Sequence, residues 1–415
     1  MSARTTFLTA LWLTSLPALN VADATNPASA GQIGSLPLYQ PHTREEWIAK
    51  FDAFNAAINH GLGFSQATTS SDVGWNEGYL LTSYLNMYQA TQSQKYADSF
   101  VTHINQMIGP NGTWYDVNVA GKTYKGWTTD RYNAAHKQYP YVVNDGMICL
   151  PLARFVYLVR AGELPPIYAK AAGLCLGALE NHLIGKWESC WREIPDSNPP
   201  QGVYVNLTDP DIKDAGDSLP NNQFLVMAEA CTYLGRTKNF PLAAKYADRA
   251  AKMLQAFKCG LTIKNANGSE VLCWNYWNHR LLTDRIETHS GQEDTRHGNL
   301  DVSAMVTGYE MKVAQEGKPI FNEQDIQRLC NTFTQLMWRG DSATPSIANR
   351  VNGEVFKKPQ DDSLAVNAWV RLGSYDPRVL ENIRALYEAR IFPSDRCGNT
   401  SYLQAISEIV LRSKR

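Results

Sequence analysis

The sequence predicts an all-α protein, an α/α toroid of about six inner and six outer helices with a small β-hairpin excursion. Three observations carry this. Helical periodicity dominates from Trp47 onward, and helices that are apolar nearly all round alternate with helices that keep a polar face. The apolar ones recur at roughly 65–75 residues until the last two, as a repeat architecture requires. No Gly/Ser- or Pro-rich linker divides the chain, so one domain closes on itself. An open solenoid is the alternative.

In chain order, Met1 to Ala24 reads as a secretory signal peptide. Arg4 precedes the apolar run Phe7–Leu19, and Ala22-Asp23-Ala24 supplies the small-residue cleavage pattern. Residues 25–45 are a lead-in, and the toroid occupies 46–415. The expected outer helices are Trp47–Ile58, Lys95–Ile108, Pro166–Leu183, Pro241–Phe257, Glu323–Met337 and Pro377–Ala389. The expected inner helices are Gly78–Tyr88, Gly146–Val159, Gln223–Leu234, Val302–Val313, Leu364–Leu372 and Tyr402–Leu411.

Composition narrows the partners. Net charge is −1, from 39 basic and 40 acidic residues, which argues against a nucleic-acid or membrane-surface partner. Beyond the leader no segment reaches about 18 unbroken apolar residues. A secreted, extracellular monomer is the expectation. Eight cysteines in such a chain suggest disulfides, and Cys259–Cys273 is the favoured pair because Asn267-Gly268 between them marks a hairpin turn. Asn111, Asn206, Asn267 and Asn399 stand in glycosylation sequons. No HExxH, EF-hand or paired Cys/His spacing occurs, and no phosphate-binding or GxSxG motif, so no cofactor is expected. A structural divalent cation stays open.

A toroid brings the starts of all inner helices to one face. Those starts carry Trp75 and Tyr79, Tyr141 with Asn144-Asp145, Asn221-Asn222-Gln223, Arg296-His297, and Asp361-Asp362. Each Asn and Asp suits a helix N-cap. Capping does not explain the accompanying Trp75, Tyr79, His136, Tyr139, Tyr141, Gln223, Arg296 and His297. Rings with polar tips suit a groove for a ligand with apolar faces and hydroxyls, which describes carbohydrate. The stretch Trp274–Asp301 is the densest in such chemistry and has little apolar periodicity, so it reads as a functional loop.

Asn221-Asn222-Gln223, followed by the aromatic and His/Arg-rich Trp274–His297 stretch, resembles the alginate- and glucuronan-type polysaccharide lyases. Alginate lyases of this type commonly have Asn-Asn-His, where this chain has Gln223. The resemblance implies β-elimination on a uronic acid, with a Tyr as acid or base, an Asn and an Arg at the carboxylate, and a His nearby. Carried onto this chain, Asn222 and Arg296 are the neutralisers and His297 and Tyr276 share the acid–base work, with His289 in reserve. Trp75, Tyr79, Tyr141 and Trp277 are sugar-stacking candidates, and His136, Asn221, Gln223, Trp274 and Arg280 complete the candidate substrate contacts.

The physical logic is independent of the family. Donors at the carboxylate stabilise the enolate-like charge that develops when the C5 proton leaves. Two groups must then take and return protons. A glycoside hydrolase on the same scaffold is the alternative; it needs a carboxylate pair, from Glu77, Asp145, Asp301 or Glu293-Asp294. A non-catalytic glycan binder needs the aromatics only, and an epimerase would use nearly the lyase set.

Overall fold

The computed structural model describes residues 42–133, 135–278, 291–356, 366–389 and 400–413. The signal peptide, most of the lead-in, Arg280, His289, Asp361-Asp362 and the Asn399 sequon lie outside these residues.

Six helices form the inner ring: α3 (Gly78–Thr91), α5 (Val142–Ala161), α7 (Asn221–Arg236), α9 (Gly298–Glu310), the 3-10 helix Trp369–Ser374, and α12 (Thr400–Arg412). Each packs against the next, and α12 packs back against α3, so the ring closes. Asn86 of α3 donates to Ser407 of α12 at 3.0 Å across that closure. The open solenoid is thereby excluded. The inner helices are almost wholly buried because they touch neighbours on every side; α5, apolar and long enough to cross a bilayer, is 83% buried over its most apolar window.

The outer layer is α1 (Arg44–Ala57), α4 (Gln94–Ile108), α6 (Ala169–Ala178), α8 (Ala243–Cys259), α10 (Glu323–Asn331) and α11 (Pro377–Glu388). Their apolar stripes meet the ring and their polar faces meet solvent, as amphipathic helices must. Phe54 of α1 stands edge-on to Tyr402 of α12 at 5.2 Å. The fold is the all-α toroid expected.

Three local outcomes differ from the expectation. First, apart from Thr69, which caps Ser70–Asp72, the side-chain caps are on outer helices. Thr43 and Asn322 form capping boxes on α1 and α10, and Asp376 caps α11. The starts of α5, α7 and α9 have no side-chain cap. These helices also begin earlier than periodicity suggested, which moves Asn144, Asp145, Asn221 and Asn222 from loops into first turns. Their polar groups are spent on neighbouring elements instead. Second, α3 is preceded by a short helix α2 (Ser70–Asp72) and a π-turn, Val73–Glu77, that carries Trp75. Such wide turns recur at functional sites.

Third, the disulfide is not formed. The hairpin is present, β1 (Thr262–Ala266) pairing with β2 (Ser269–Cys273), with Asn267 and Gly268 at φ 50° and 80° as a type I′ turn needs. But Cys273 is opposite Thr262 and 1% exposed, whereas Cys259 closes α8 facing solvent, its Sγ accepting from Gln255 at 3.2 Å. One thiol faces the core and the other faces water. All seven described cysteines are free. Brief alkylation of native protein should therefore label Cys259 fastest of these seven, read by peptide mass mapping. Protection of Cys259, lifted only by reductant, would contradict a free thiol there.

Of the other sequons, Asn111 is exposed. Asn206 is half-buried and donates to the Asp214 carbonyl at 3.2 Å, and Asn267 sits at the exposed hairpin tip.

Candidate active site

The start of α7 organises the site. Asn221 donates from its side chain to the Asn275 carbonyl at 2.7 Å, and its backbone N–H reaches the Tyr276 carbonyl at 3.0 Å. This latches residues 274–277 onto the helix. The same segment is hydrogen-bonded to 291–293, through Tyr276 N–H to Gly291 at 2.9 Å and Glu293 N–H to Trp274 at 3.0 Å. Three segments distant in sequence thus place Asn222, Tyr276 and Glu293-Asp294-His297 together.

Tyr276 is at the centre. Its oxygen accepts from the Asn222 and Gln223 side-chain amides. Burial, reinforced by the negative charge of Glu293, nevertheless holds its pKa well above the ordinary tyrosine value, so the hydroxyl is protonated at neutral pH. Its ring lies 5.3 Å from that of His297. The His297 Nδ1 is 2.6 Å from Asp294 Oδ2, and its side chain is 44% exposed. Burial disfavours the imidazolium, but the Asp294 hydrogen bond and charge outweigh it and raise the His297 pKa. Asp294 stays ionised: its own desolvation is overcome by His297 and by the N–H groups of His297 and Arg296. Asp294 and His297 are a dyad.

Beneath it is a feature the sequence did not reveal. Glu293 and Asp301 are both fully buried and face one another. Asp301 Oδ2 accepts from Trp274 Nε1 at 2.7 Å, while Oδ1 meets no donor. Two facing carboxylates without a donor between them must share a proton. Burial and the mutual repulsion push Glu293 well above the carboxylate range, and burial pushes Asp301 up to about 7. Glu293 also accepts from Asn222 at 3.4 Å. Asn222 is 1% exposed and lies between Glu293 and Tyr276, where it can orient the tyrosine.

The other expected residues divide. Arg296 is exposed, immediately ahead of α9 and beside His297. The Trp277 ring is perpendicular to Tyr276 at 5.1 Å, with Nε1 tied to the Ser218 carbonyl at 2.8 Å. Trp75, Tyr79 and Tyr141 form a second aromatic group around Tyr132, which the sequence reading passed over. Trp75 Nε1 donates to the Tyr132 hydroxyl at 2.8 Å, and the Tyr132 and Tyr141 rings meet edge-on at 4.9 Å. Tyr139 reaches Asp211, and the 205–219 segment joins this group to the start of α7. His136 is exposed nearby, at φ 51°. Trp274 is corrected: it is 2% exposed and stacked with Trp369 at 6.3 Å, so it belongs to the core.

Two carboxylates considered for hydrolysis are likewise committed elsewhere. Glu77 is fully buried, 2.6 Å from His103 Nδ1, and Asp145 is buried between Lys186 at 3.0 Å and Trp187 Nε1 at 2.7 Å. Neither faces a ligand. Glu293, Asp294 and His297 offer one ligand atom each within 4.8 Å of one another. Within that group Asp294 is already held by His297 at 2.6 Å.

No family model matches the chain, and no curated protein matches it. Among the solved structures similar to it are two at 11% identity. One is an α-1,6-mannanase of Salegentibacter sp. HEL1_6 in complex with α-1,6-mannotetrose, with a TM-score of 0.47 over 88% of this chain and 99% of that one. The other is a reducing-end-xylose releasing exo-oligoxylanase, with a TM-score of 0.46 over 90% of this chain and 94% of that one. Both likenesses are too distant to assign a family or an activity, and the closed ring above stands on its own contacts.

Proposed function

We propose that the chain is a secreted, glycan-active enzyme that cleaves a uronic-acid-containing polysaccharide by β-elimination. The observation that carries this is the meeting of a protonated Tyr276 with the His297–Asp294 dyad at the open face of the ring, next to exposed Arg296. In this reading Arg296 takes the uronate carboxylate, lowering the cost of charge there as the C5–H bond breaks. His297 Nε2 takes that proton, and Asp294 stabilises the resulting imidazolium. The electron pair forms the C4–C5 double bond, the C4–O4 bond breaks, and the Tyr276 hydroxyl supplies the proton to O4. Asn222 and Gln223 hold the phenol oxygen through this exchange.

The test is ultraviolet absorbance during incubation with alginate, glucuronan, pectate and glycosaminoglycans in turn. Elimination conjugates a double bond to the carboxylate, so one substrate should show a rise. New reducing ends without that rise would sink the lyase reading.

A glycoside hydrolase is the second reading, favoured by one specific observation. Glu293 is kept protonated next to an ionised Asp294, and two carboxyls with opposed ionisation are what acid and base roles need. Glu293 is fully buried, which counts against direct contact with a glycosidic oxygen.

The buried pair carries a pH prediction within the lyase reading. As pH rises through about 7, Asp301 ionises while Glu293 stays protonated, and the pair takes on negative charge below the site. The KM for a uronate substrate should therefore climb above that pH. Glu293→Gln should flatten the climb while leaving kcat within about tenfold of the parent. Identical KM profiles for the two proteins would refute a shared proton.

A further inference from the structure

The ring has a second mouth, at the C-terminal ends of the inner helices. A cavity of about 410 Å³ opens there, lined from every inner element, by Asn86 and Gln89 of α3, Arg154 of α5, Tyr233 of α7, Glu310 of α9, Arg371 and Arg412 among others. This is the size of a small-molecule site. None of the chemistry proposed above uses it.

Its charges nearly cancel. Arg371 is paired with Glu229 at 3.0 Å and Glu310 at 2.6 Å, and Arg412 with Glu408. Arg154 meets amide oxygens only, Asn86 at 2.7 Å and Gln89. Glu163 adds a fourth carboxylate at the rim. Converging helix C-termini contribute further partial negative charge, about half a unit for each full helix. An anion is therefore not attracted. Among the described residues each carboxylate inside the mouth already has a guanidinium, so a bare cation gains little.

What remains is unspent hydrogen-bonding capacity. Each guanidinium has five N–H donors. Arg154 uses two of them, on Asn86 and Gln89, and Arg412 uses two, on Glu408 and the Arg371 carbonyl. The carboxylates of Glu310 and Glu408 share the lining with these planar donors. On one side the Tyr157 and Tyr233 rings lie 5.7 Å apart and tilted, giving an apolar wall with hydroxyl tips. Planar donors and acceptors beside aromatic rings match vicinal hydroxyls on a ring with an apolar face.

We propose that this mouth is a second binding site, for a neutral monosaccharide or the neutral end of a glycan. Arg154, oriented by Asn86 and Gln89, and Arg412 hold adjacent hydroxyls, and Tyr157 covers the sugar face. The site is separate from the Tyr276–His297 face and does not depend on the reaction proposed there.

The experiment is calorimetric and ligand-observed NMR titration of the full chain with glucose, mannose, xylose and glucuronate. At least one neutral sugar should bind, with a Kd on the order of millimolar, and glucuronate more weakly. Arg154→Gln should weaken the neutral sugar about tenfold or more, and Tyr276→Phe should leave it unchanged. Gln89→Ala, on a half-buried position, should show a smaller loss in the same direction and serves if Arg154→Gln does not fold. The proposal is overturned by no neutral sugar binding up to about 100 mM, by tighter binding of glucuronate, or by binding that Tyr276→Phe removes and both mouth variants retain.

Discussion

His297→Ala should lower kcat on the eliminated substrate by about 10²- to 10⁴-fold, the usual worth of a positioned proton-transfer group. KM should change little, because the imidazole takes a proton instead of holding the sugar. Tyr276→Phe should give a loss of the same order, since it removes the proton for O4 and keeps the ring packed against Trp277. The pH profile separates catalysis from mere structure. The base must be neutral, and Asp294 raises the His297 pKa, so the acid limb of kcat should lie above the ordinary histidine value of about 6.5. Asp294→Asn removes the raising charge, so the limb should move to lower pH while the maximum rate falls. An acid limb unmoved by Asp294→Asn would show that His297 is not the base.

Lys186→Met should be the most damaging change away from the site. Lys186 is fully buried in its side chain, and its ammonium is 3.0 Å from Asp145, itself 2% exposed. Removing one partner leaves the other charge buried and unpaired, which costs about 3–5 kcal/mol. That is a large share of the 5–15 kcal/mol typical of a folded domain. Burial already raises the Asp145 pKa against the opposing pull of Lys186, so without the lysine the carboxyl should pick up a proton nearer neutral pH. Denaturant unfolding should show a midpoint well below the parent. Adding Asp145→Asn to Lys186→Met should recover most of the loss, and a double variant no better than the single would refute the pair as the cause.

The sequence by itself determined the two alternating helical layers, because that information is local and repeated; closure into a ring came from the packing of α12 on α3. Each helix announces its layer by the width of its apolar stripe: Gly78–Thr91 is apolar all round and becomes inner, while Gln94–Ile108 keeps a polar face and becomes outer. It also determined the hairpin at Asn267-Gly268, whose turn chemistry is set by two adjacent residues. The Asp294–His297 dyad was within reach too, being an i, i+3 pair ahead of a helix.

Tertiary structure decided what the polar residues do. The Asn and Asp side chains at the inner helix starts fit capping as well as contact, and only the neighbouring segment chooses: Asn221 latches Asn275, Asn222 holds Tyr276, Asp145 takes Lys186. Trp274 and Trp277 are three residues apart and chemically alike, yet one is core and the other flanks the site. Cys259 and Cys273 bracket a hairpin, but a thiol's direction depends on helix phase and strand face together. The shared proton of Glu293 and Asp301 needs two carboxyls facing each other in a dry interior, and no spacing along a chain can state that. Periodicity fixes which faces are buried; the packing of distant segments fixes which charges meet.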